Sequence, residues 1–153
     1  MPRSRISAAP AAPLHRGRGM VLVVEDEPSL RVLIRRMLDL HRLASQEAAS
    51  AEDAIIMAQS AELPIDAVLT DLQLPEMTGL ELAAKVQSLR PGLPFVFMSG
   101  YPRETAFGCS PSVYRHAEFL QKPFSPAQLG DVMRRVIQAR TPPTNDTTDV
   151  PPT

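Results

Sequence analysis

Five short strand-like runs alternate along the chain with segments whose apolar residues recur at helical spacing. Three runs are continuously apolar or β-branched, which is typical of strands buried on both faces of a parallel sheet: Met20–Val24, Ala67–Thr70 and Phe95–Met98. Leu43–Ala49 predicts a weak outer strand, and Glu118–Gln121 predicts the last one. Strict alternation of strands and helices favours right-handed crossovers with helices on both faces. The predicted fold class is therefore α/β, a doubly wound five-stranded parallel sheet.

The helical segments carry their own start and stop signals. Pro28 suits the first position of the helix over Ser29–Leu40. That helix has apolar residues on one side (Leu30, Leu33, Ile34, Met37 and Leu38) and an arginine set that we interpret as solvated (Arg31, Arg35 and Arg36). Ser125 to Gln128 predicts a capping box for the last helix, which runs to about Arg140. Residues 103–116 contain Gly108 and Pro111, so we expect a short helix followed by an irregular link.

Composition and charge set the domain boundaries. The 153 residues, 44% of them hydrophobic, suffice for one domain with a proper core, which we place at residues 20–140. Residues 1–19 form an acid-free, arginine-containing stretch that predicts a disordered basic arm, and residues 141–153 predict a disordered Pro/Thr-rich tail. No apolar run is long enough to span a membrane, and a net charge of -1 gives no general attraction to nucleic acid. The lone Cys109 excludes an internal disulfide and fits a reducing cytoplasm.

Polar side chains follow four of the predicted strands at the point where each strand ends. Glu25 and Asp26 follow the first strand, Asp71 the third, Ser99 the fourth and Lys122 the fifth. Carboxyl ends of parallel strands share one edge of the sheet, where open α/β sheets bind their ligands. Taken singly, each residue has an ordinary structural explanation as a helix-terminal charge, a turn residue or a solvated cation. Together they favour a site.

The chemistry of this set indicates a cation and a phosphoryl group. Three carboxylates in one cleft repel each other and need a cation to stay ionised together. An all-oxygen ligand set favours Mg²⁺, which takes one or two carboxylates directly and leaves positions open for phosphoryl oxygens. The Lys122 ammonium and the Ser99 hydroxyl can contact the same phosphoryl group. A carboxylate beside such a group can act as a nucleophile toward phosphorus.

The sequence resembles the receiver domain of two-component response regulators. The resemblance rests on four motifs and covers about residues 20–140: VVEDEP at 23–28, LTDLQLPEMTG at 69–79, FMSGYP at 97–102 and FLQKPFS at 119–125. The last two are similar to receivers found in hybrid histidine kinases. The resemblance implies a flavodoxin-like sheet with strand order 2-1-3-4-5.

The resemblance also implies the roles of the acidic residues. Asp71 would be the phosphorylated residue, and Asp26 and Asp71 would bind Mg²⁺ directly. Glu25 would act mainly through water, and the backbone carbonyl of Gln73 would be a further ligand.

The remaining site residues would transmit the phosphorylation. Lys122 would contact phosphoryl oxygens, and Ser99 would move inward to bond one of them. Phe119 matches the switch aromatic of the family, which is often Tyr, and an ordinary core phenylalanine explains it about as well. The chain's histidines lack a phosphodonor context and are interpreted as surface residues: His15, His41 and His116.

The predicted function is that of a single-domain response regulator in the cytoplasm. A sensor histidine kinase or phosphotransfer protein would donate the phosphoryl group, and an unknown downstream protein would read the altered surface. Such a chain is a phosphoacceptor and not an enzyme with turnover, and neither membrane association nor specific nucleic-acid binding is expected. One alternative is a receiver-like interaction module that works without phosphate. Another, less favoured, is a Mg²⁺-dependent phosphohydrolase of the haloacid dehalogenase type, which needs a second acid where this chain has Gln73.

Overall fold

The computed structural model describes residues 19–107 and 117–140. Within this part, five parallel strands form one sheet in the order β2-β1-β3-β4-β5, which confirms the predicted class and strand order. The strands are β1 (Met20–Val24), β2 (Ala44–Ala48), β3 (Ala67–Asp71), β4 (Phe95–Ser99) and β5 (Glu118–Gln121). As predicted, β2 lies at an edge of the sheet, and β1, β3 and β4 are buried along their whole length.

Helices alternate with the strands. In the described residues they are α1 (Pro28–Leu40), α2 (Ala51–Gln59), α3 (Gly79–Leu89), the short α4 (Arg103–Phe107) and α5 (Pro126–Arg140). The inward residues of α1 and α5 join one buried cluster with Val21 and Val23, whereas those of α2 and α3 join a second cluster with Leu22 and Val24. Successive strand residues therefore supply opposite faces of the sheet, and each face is covered by helices.

Side chains cap several helices at the edge where the strands end. Ser125 and Gln128 form the predicted capping box: each backbone N–H donates to the other's side-chain oxygen, at 2.8 and 3.1 Å. Thr78 and Glu81 form a second capping box at the start of α3. These reciprocal bonds satisfy backbone donors that a helix N-terminus leaves free, so the loops that bear the polar strand ends are anchored.

Two residues of α1 depart from the sequence interpretation. Leu33, expected on the inward stripe, is 48% exposed, because Ile34, Met37 and Leu38 already fill that side of the helix. Arg31, expected to be solvated, has a side chain only 17% exposed. Its position seven residues before Leu38 places it on the inward face, where a long stem can be covered while its head finds polar partners.

His41 also departs from its interpretation as an ordinary surface residue. Its ring is partly buried between the end of α1 and the start of α5, and Nε2 lies 2.8 Å from the Pro126 carbonyl oxygen. Nδ1 lies 2.8 Å from an Arg134 guanidinium nitrogen. The ring lies directly over Gly130, where an added Cβ would collide with it. His41 therefore joins two helices.

The predicted arm and tail, and the predicted irregular link after α4, lie outside the described residues, with one exception. Gly19, assigned to the arm, is buried, and its carbonyl oxygen accepts a hydrogen bond from the Ala44 N–H. Among the described helices, none combines the length and the apolar character needed to cross a membrane.

Candidate functional site

The polar residues predicted at the strand ends lie along one edge of the sheet. Glu25 and Asp26 directly follow β1, Asp71 is the last residue of β3, Ser99 is the last residue of β4, and Lys122 directly follows β5. Because all strands are parallel, their carboxyl ends face the same side. β1 and β3 are paired neighbours in the sheet, so their acids lie next to each other.

Three of these acids form a compact cluster. Glu25, Asp26 and Asp71 each offer a carboxylate oxygen, and these oxygens lie within 4.8 Å of one another. Glu25 and Asp71 are buried, with 2% and 8% of their surface exposed, whereas Asp26 is open to solvent. The cluster is thus closed at its base and accessible from one side.

Lys122 supplies the positive charge in this cluster. Its Nζ donates a hydrogen bond to Asp71 Oδ2 at 2.7 Å and lies 3.6 Å from Glu25 Oε1. Burial by itself would lower the pKa of Lys122, but the hydrogen bond and charge of Asp71, followed by the nearby charge of Glu25, raise it overall. Lys122 is therefore held in its charged form against the two buried carboxylates.

Glu25 is the least satisfied member of the cluster. Its Oε2 accepts a hydrogen bond from the Glu27 N–H at 3.1 Å, but Oε1 is buried and has no hydrogen-bond partner. Burial raises the pKa of Glu25 to about 7, although the Glu27 N–H and the Lys122 charge both act to lower it. A buried carboxylate oxygen without a donor costs free energy unless a cation or a proton joins it.

The residues fit a divalent cation. When all four charged groups are ionised, one ammonium opposes three carboxylates, which leaves two negative charges unbalanced. Glu25 Oε1 has no hydrogen-bond donor, and the Asp26 carboxylate is exposed; both offer oxygen atoms of the kind that Mg²⁺ prefers. Glu25, Asp26 and Asp71 are thus the residues that can hold a metal.

The junction between β3 and α3 fixes the Asp71 carboxylate. The Gln73 N–H donates to Asp71 Oδ1 at 2.8 Å, and the Gly79 N–H donates to the Leu72 carbonyl oxygen at 2.7 Å. A Cβ at position 79 would lie 2.6 Å from the Asp71 carbonyl oxygen. Only glycine therefore permits this close return of the chain behind Asp71.

Ser99 and Phe119 lie beside the cluster on β4 and β5. Ser99 is buried, its Oγ accepts a hydrogen bond from the Tyr101 N–H at 3.0 Å, and its carbonyl oxygen accepts one from the Lys122 N–H at 2.7 Å. Phe119 is partly buried and packs against the core cluster on the α2 and α3 face. A backbone hydrogen bond thus joins Ser99 to Lys122, the residue whose ammonium pairs with Asp71.

A separate groove of about 640 Å³ lies away from the acids, between α3, α5 and the last two strands. Its lining is mainly apolar, and its charged residues, Glu118 and Arg135, pair with each other at 3.0 Å. It includes none of the polar strand ends. The acid cluster is therefore the better candidate for chemistry.

Comparison with known proteins decides the family. The family model for the response regulator receiver domain matches residues 21–134. This chain belongs to the response regulator receiver domain family. The receiver described here is 33% identical over 122 residues to the sensor kinase CckA of Brucella abortus, with 80% of this chain and 13% of the relative aligned. It is 28% identical to the response regulator receiver protein CpdR of the same organism, with 78% of this chain and 97% of CpdR aligned.

Solved structures agree. A sensor protein from Polaromonas sp. JS666 superposes on this receiver with a TM-score of 0.73 at 27% identity, covering 81% of this chain and 99% of the other. Several relatives are much longer than the receiver: it spans 13% of CckA and 25% of the transcriptional regulator NtrC of Azospirillum brasilense. Receivers are phosphoacceptor domains of two-component systems, and an acidic cluster such as this one is typical of the family.

One residue at the site was missed from the sequence. Arg31 reaches the loop after β1, and its guanidinium NH1 donates to the Glu25 carbonyl oxygen at 2.7 Å. The available signal was its helical position relative to Ile34 and Leu38, which conflicted with the assumption that arginines face water.

Proposed function

We propose that this receiver accepts a phosphoryl group on Asp71 from the phosphohistidine of a sensor histidine kinase or a phosphotransfer protein. The observation that carries the proposal is the setting of Asp71: a buried carboxylate at a strand end, 2.7 Å from the Lys122 ammonium and clustered with Glu25 and Asp26. A carboxylate in a surface ion pair would have neither the burial nor the two neighbouring acids.

The proposed reaction is an in-line displacement at phosphorus. A carboxylate oxygen of Asp71 attacks, an O–P bond forms, and the P–N bond to the donor imidazole breaks, so that the imidazole leaves. Lys122 lies beside the attacking group and would balance charge on the phosphoryl oxygens. The Gln73 N–H bond to Oδ1 holds the carboxylate in one orientation during the transfer.

We propose Mg²⁺ as the cation, held by Asp26 and Asp71, by Glu25 through water and by the Gln73 carbonyl. When bound, Mg²⁺ neutralises charge that develops on the transferring phosphoryl group. This chain's residues would supply the ligand oxygens, and the absence of a hydrogen-bond donor at the buried Glu25 Oε1 supports the assignment.

We further propose that phosphorylation is read as a change of surface. Ser99 would turn toward a phosphoryl oxygen, Lys122 would follow, and Phe119 would repack as the strands shift. The altered surface would bind or release a downstream protein. The receiver would therefore work as a phosphoacceptor, assisting its own phosphorylation and dephosphorylation without turnover of a free substrate, and it would act in the cytoplasm beside its kinase.

Incubation with Mg²⁺ and a small acyl phosphate, followed by intact mass measurement, tests the proposal. We expect one phosphoryl group per chain on the wild type. We expect none when excess EDTA is present from the start of the reaction, and none on Asp71→Asn. Asp131→Asn is the matched control, because it removes an exposed carboxylate that pairs with Arg134 on the same helix. It should be phosphorylated like the wild type.

Two results would overturn the proposal. A phosphoryl group on Asp71→Asn would place the acceptor at another residue, and turnover of phosphate esters by the wild type would favour a phosphohydrolase.

A further inference from the structure

Arg31 is bound to the acid-bearing loop and is not part of the solvated arginine face of α1. Its NH1 donates to the Glu25 carbonyl oxygen at 2.7 Å, and its side chain is 17% exposed. The side chain of Arg35, one turn later, is 51% exposed. Of the two, only Arg31 has a bond to the loop in which Glu25 and Asp26 lie.

The Arg31 bond completes the anchoring of the Glu25 backbone. The Glu25 N–H donates to the Ala48 carbonyl oxygen at 3.2 Å on the neighbouring strand. The Glu25 carbonyl oxygen, which belongs to the peptide that leads into Asp26, is held by Arg31. Glu25 is thus held on both sides, by a strand partner at its N–H and by a guanidinium at its carbonyl oxygen. A charged donor makes the second bond stronger than a neutral one.

Glu47 on β2 holds the guanidinium from its other side. Arg31 Nε lies 3.6 Å from Glu47 Oε1, and Arg35 NH1 lies 3.3 Å from Glu47 Oε2. A planar guanidinium has several fixed donors and can contact a carbonyl and a carboxylate together, which an ammonium does less well. Arg35 shares the Glu47 partner but has no bond to Glu25, so it provides an internal control.

We propose that Arg31 is a positioning residue for the acid cluster: by fixing the Glu25–Asp26 peptide, it sets where these two carboxylates lie for a divalent cation. This inference rests on the proposed function, because it assumes that the cluster binds Mg²⁺.

The direction in which Mg²⁺ affinity changes distinguishes a positioning role of Arg31 from a purely electrostatic one. A guanidinium near a cation site repels the cation, so loss of that charge alone would tighten Mg²⁺ binding. Loss of a group that orients the ligands weakens it, and outer partners of metal ligands commonly contribute about 10–100-fold to affinity. We therefore expect Arg31→Met to raise the Mg²⁺ dissociation constant by about tenfold.

The experiment is a Mg²⁺ titration of the full chain followed by amide NMR, on wild type, Arg31→Met, Arg31→Lys and Arg35→Met. The Mg²⁺ dissociation constant of Arg35→Met should stay within about twofold of the wild-type value. That of Arg31→Lys should lie between those of Arg35→Met and Arg31→Met. Phosphorylation by a small acyl phosphate gives a second readout. The Arg31→Met defect should disappear as Mg²⁺ is raised to saturation, whereas the Asp71→Asn defect should persist.

Each outcome decides the inference. Equal dissociation constants for Arg31→Met and Arg35→Met, or tighter binding by Arg31→Met, would overturn it. If Arg31→Met does not fold, judged by circular dichroism in EDTA, Arg31→Lys carries the test, and an unchanged dissociation constant there would overturn it as well. A wild type that neither binds Mg²⁺ nor accepts phosphate would instead overturn the proposed function, and this inference with it.

Discussion

At the scale of single residues, Glu25 is the group whose state is most sensitive to conditions. It is buried, and only one of its two carboxylate oxygens accepts a hydrogen bond. Of its charged neighbours, Lys122 lowers its pKa and Asp71 raises it. Without metal, burial favours the protonated form of Glu25; a cation bound in the cluster would favour the ionised form. A fall in pH and the binding of Mg²⁺ should therefore favour opposite charge states of the Glu25 carboxyl.

The stability of the metal-free protein should depend on pH through Glu25. The folded-state pKa of about 7 lies above the ordinary 4.5, so the folded chain binds this proton more tightly than the unfolded chain does. The free energy of unfolding in EDTA should therefore rise as the pH falls from about 8 to about 5, by about 1–3 kcal/mol. Urea unfolding at several pH values measures it.

Glu25→Gln is the control for this prediction. The amide keeps an acceptor for the Glu27 N–H but cannot ionise, so the rise should be lost in the variant. Parallel pH profiles for wild type and Glu25→Gln would contradict the assignment.

Lys122 has a different role, because it connects Asp71 to β5. Its Nζ contacts Asp71, and its backbone N–H donates to Ser99. We expect Lys122→Ala to fold and to accept phosphate, but phosphorylation should no longer shift the amide resonances of β5 and α5, since the ammonium that follows the phosphoryl group is absent. Comparison of amide NMR spectra before and after phosphorylation checks this. Shifts equal to those of wild type would contradict a coupling role for Lys122.

At the scale of elements, the apolar contact between α1 and α5 is extended by one ring that packs over one glycine. His41, next to the end of α1, has hydrogen-bond contacts with Pro126 and Arg134, and its ring fills the space over Gly130. A helical glycine normally costs about 0.5–1 kcal/mol relative to alanine. Here the absence of a Cβ gives the ring its place.

Gly130→Ala should therefore destabilise the protein, against the usual trend. The added methyl would displace the His41 ring, break its contacts and lower the free energy of unfolding by about 1–3 kcal/mol. In a His41→Ala background the clash is gone, and Gly130→Ala should become stabilising by about 0.5–1 kcal/mol. Urea unfolding of the four proteins measures the cycle. The same sign in both backgrounds would show that the ring does not occupy this space.

At the scale of the whole molecule, the parallel topology explains why so much could be predicted. Buried strands are readable as apolar runs, and parallel pairing then forces their carboxyl ends to one edge, so Asp26, Asp71 and Lys122 could be placed together from the sequence. The capping box at Ser125 could also be predicted, because it joins two residues only three positions apart in the sequence.

What could not be predicted depends on contacts between distant elements. Arg31 was assigned to water by its charge, but its partner Glu25 lies in the loop after β1 and its partner Glu47 lies on β2. His41 packs on Gly130, and no local pattern brings those positions together. Leu33 belongs to an apolar stripe that was broader than the face the sheet covers. In each case, the packing of helices and strands decides the environment.

The most direct test of the account is to locate the phosphoryl group chemically. The phosphorylated wild type is reduced with borohydride, which converts an aspartyl phosphate into homoserine, and the peptides are sequenced by mass spectrometry. We predict homoserine at position 71, only when Mg²⁺ was present. A reduced residue at position 25 or 26, or a stable phosphoryl group that borohydride does not remove, would contradict Asp71 as the acceptor.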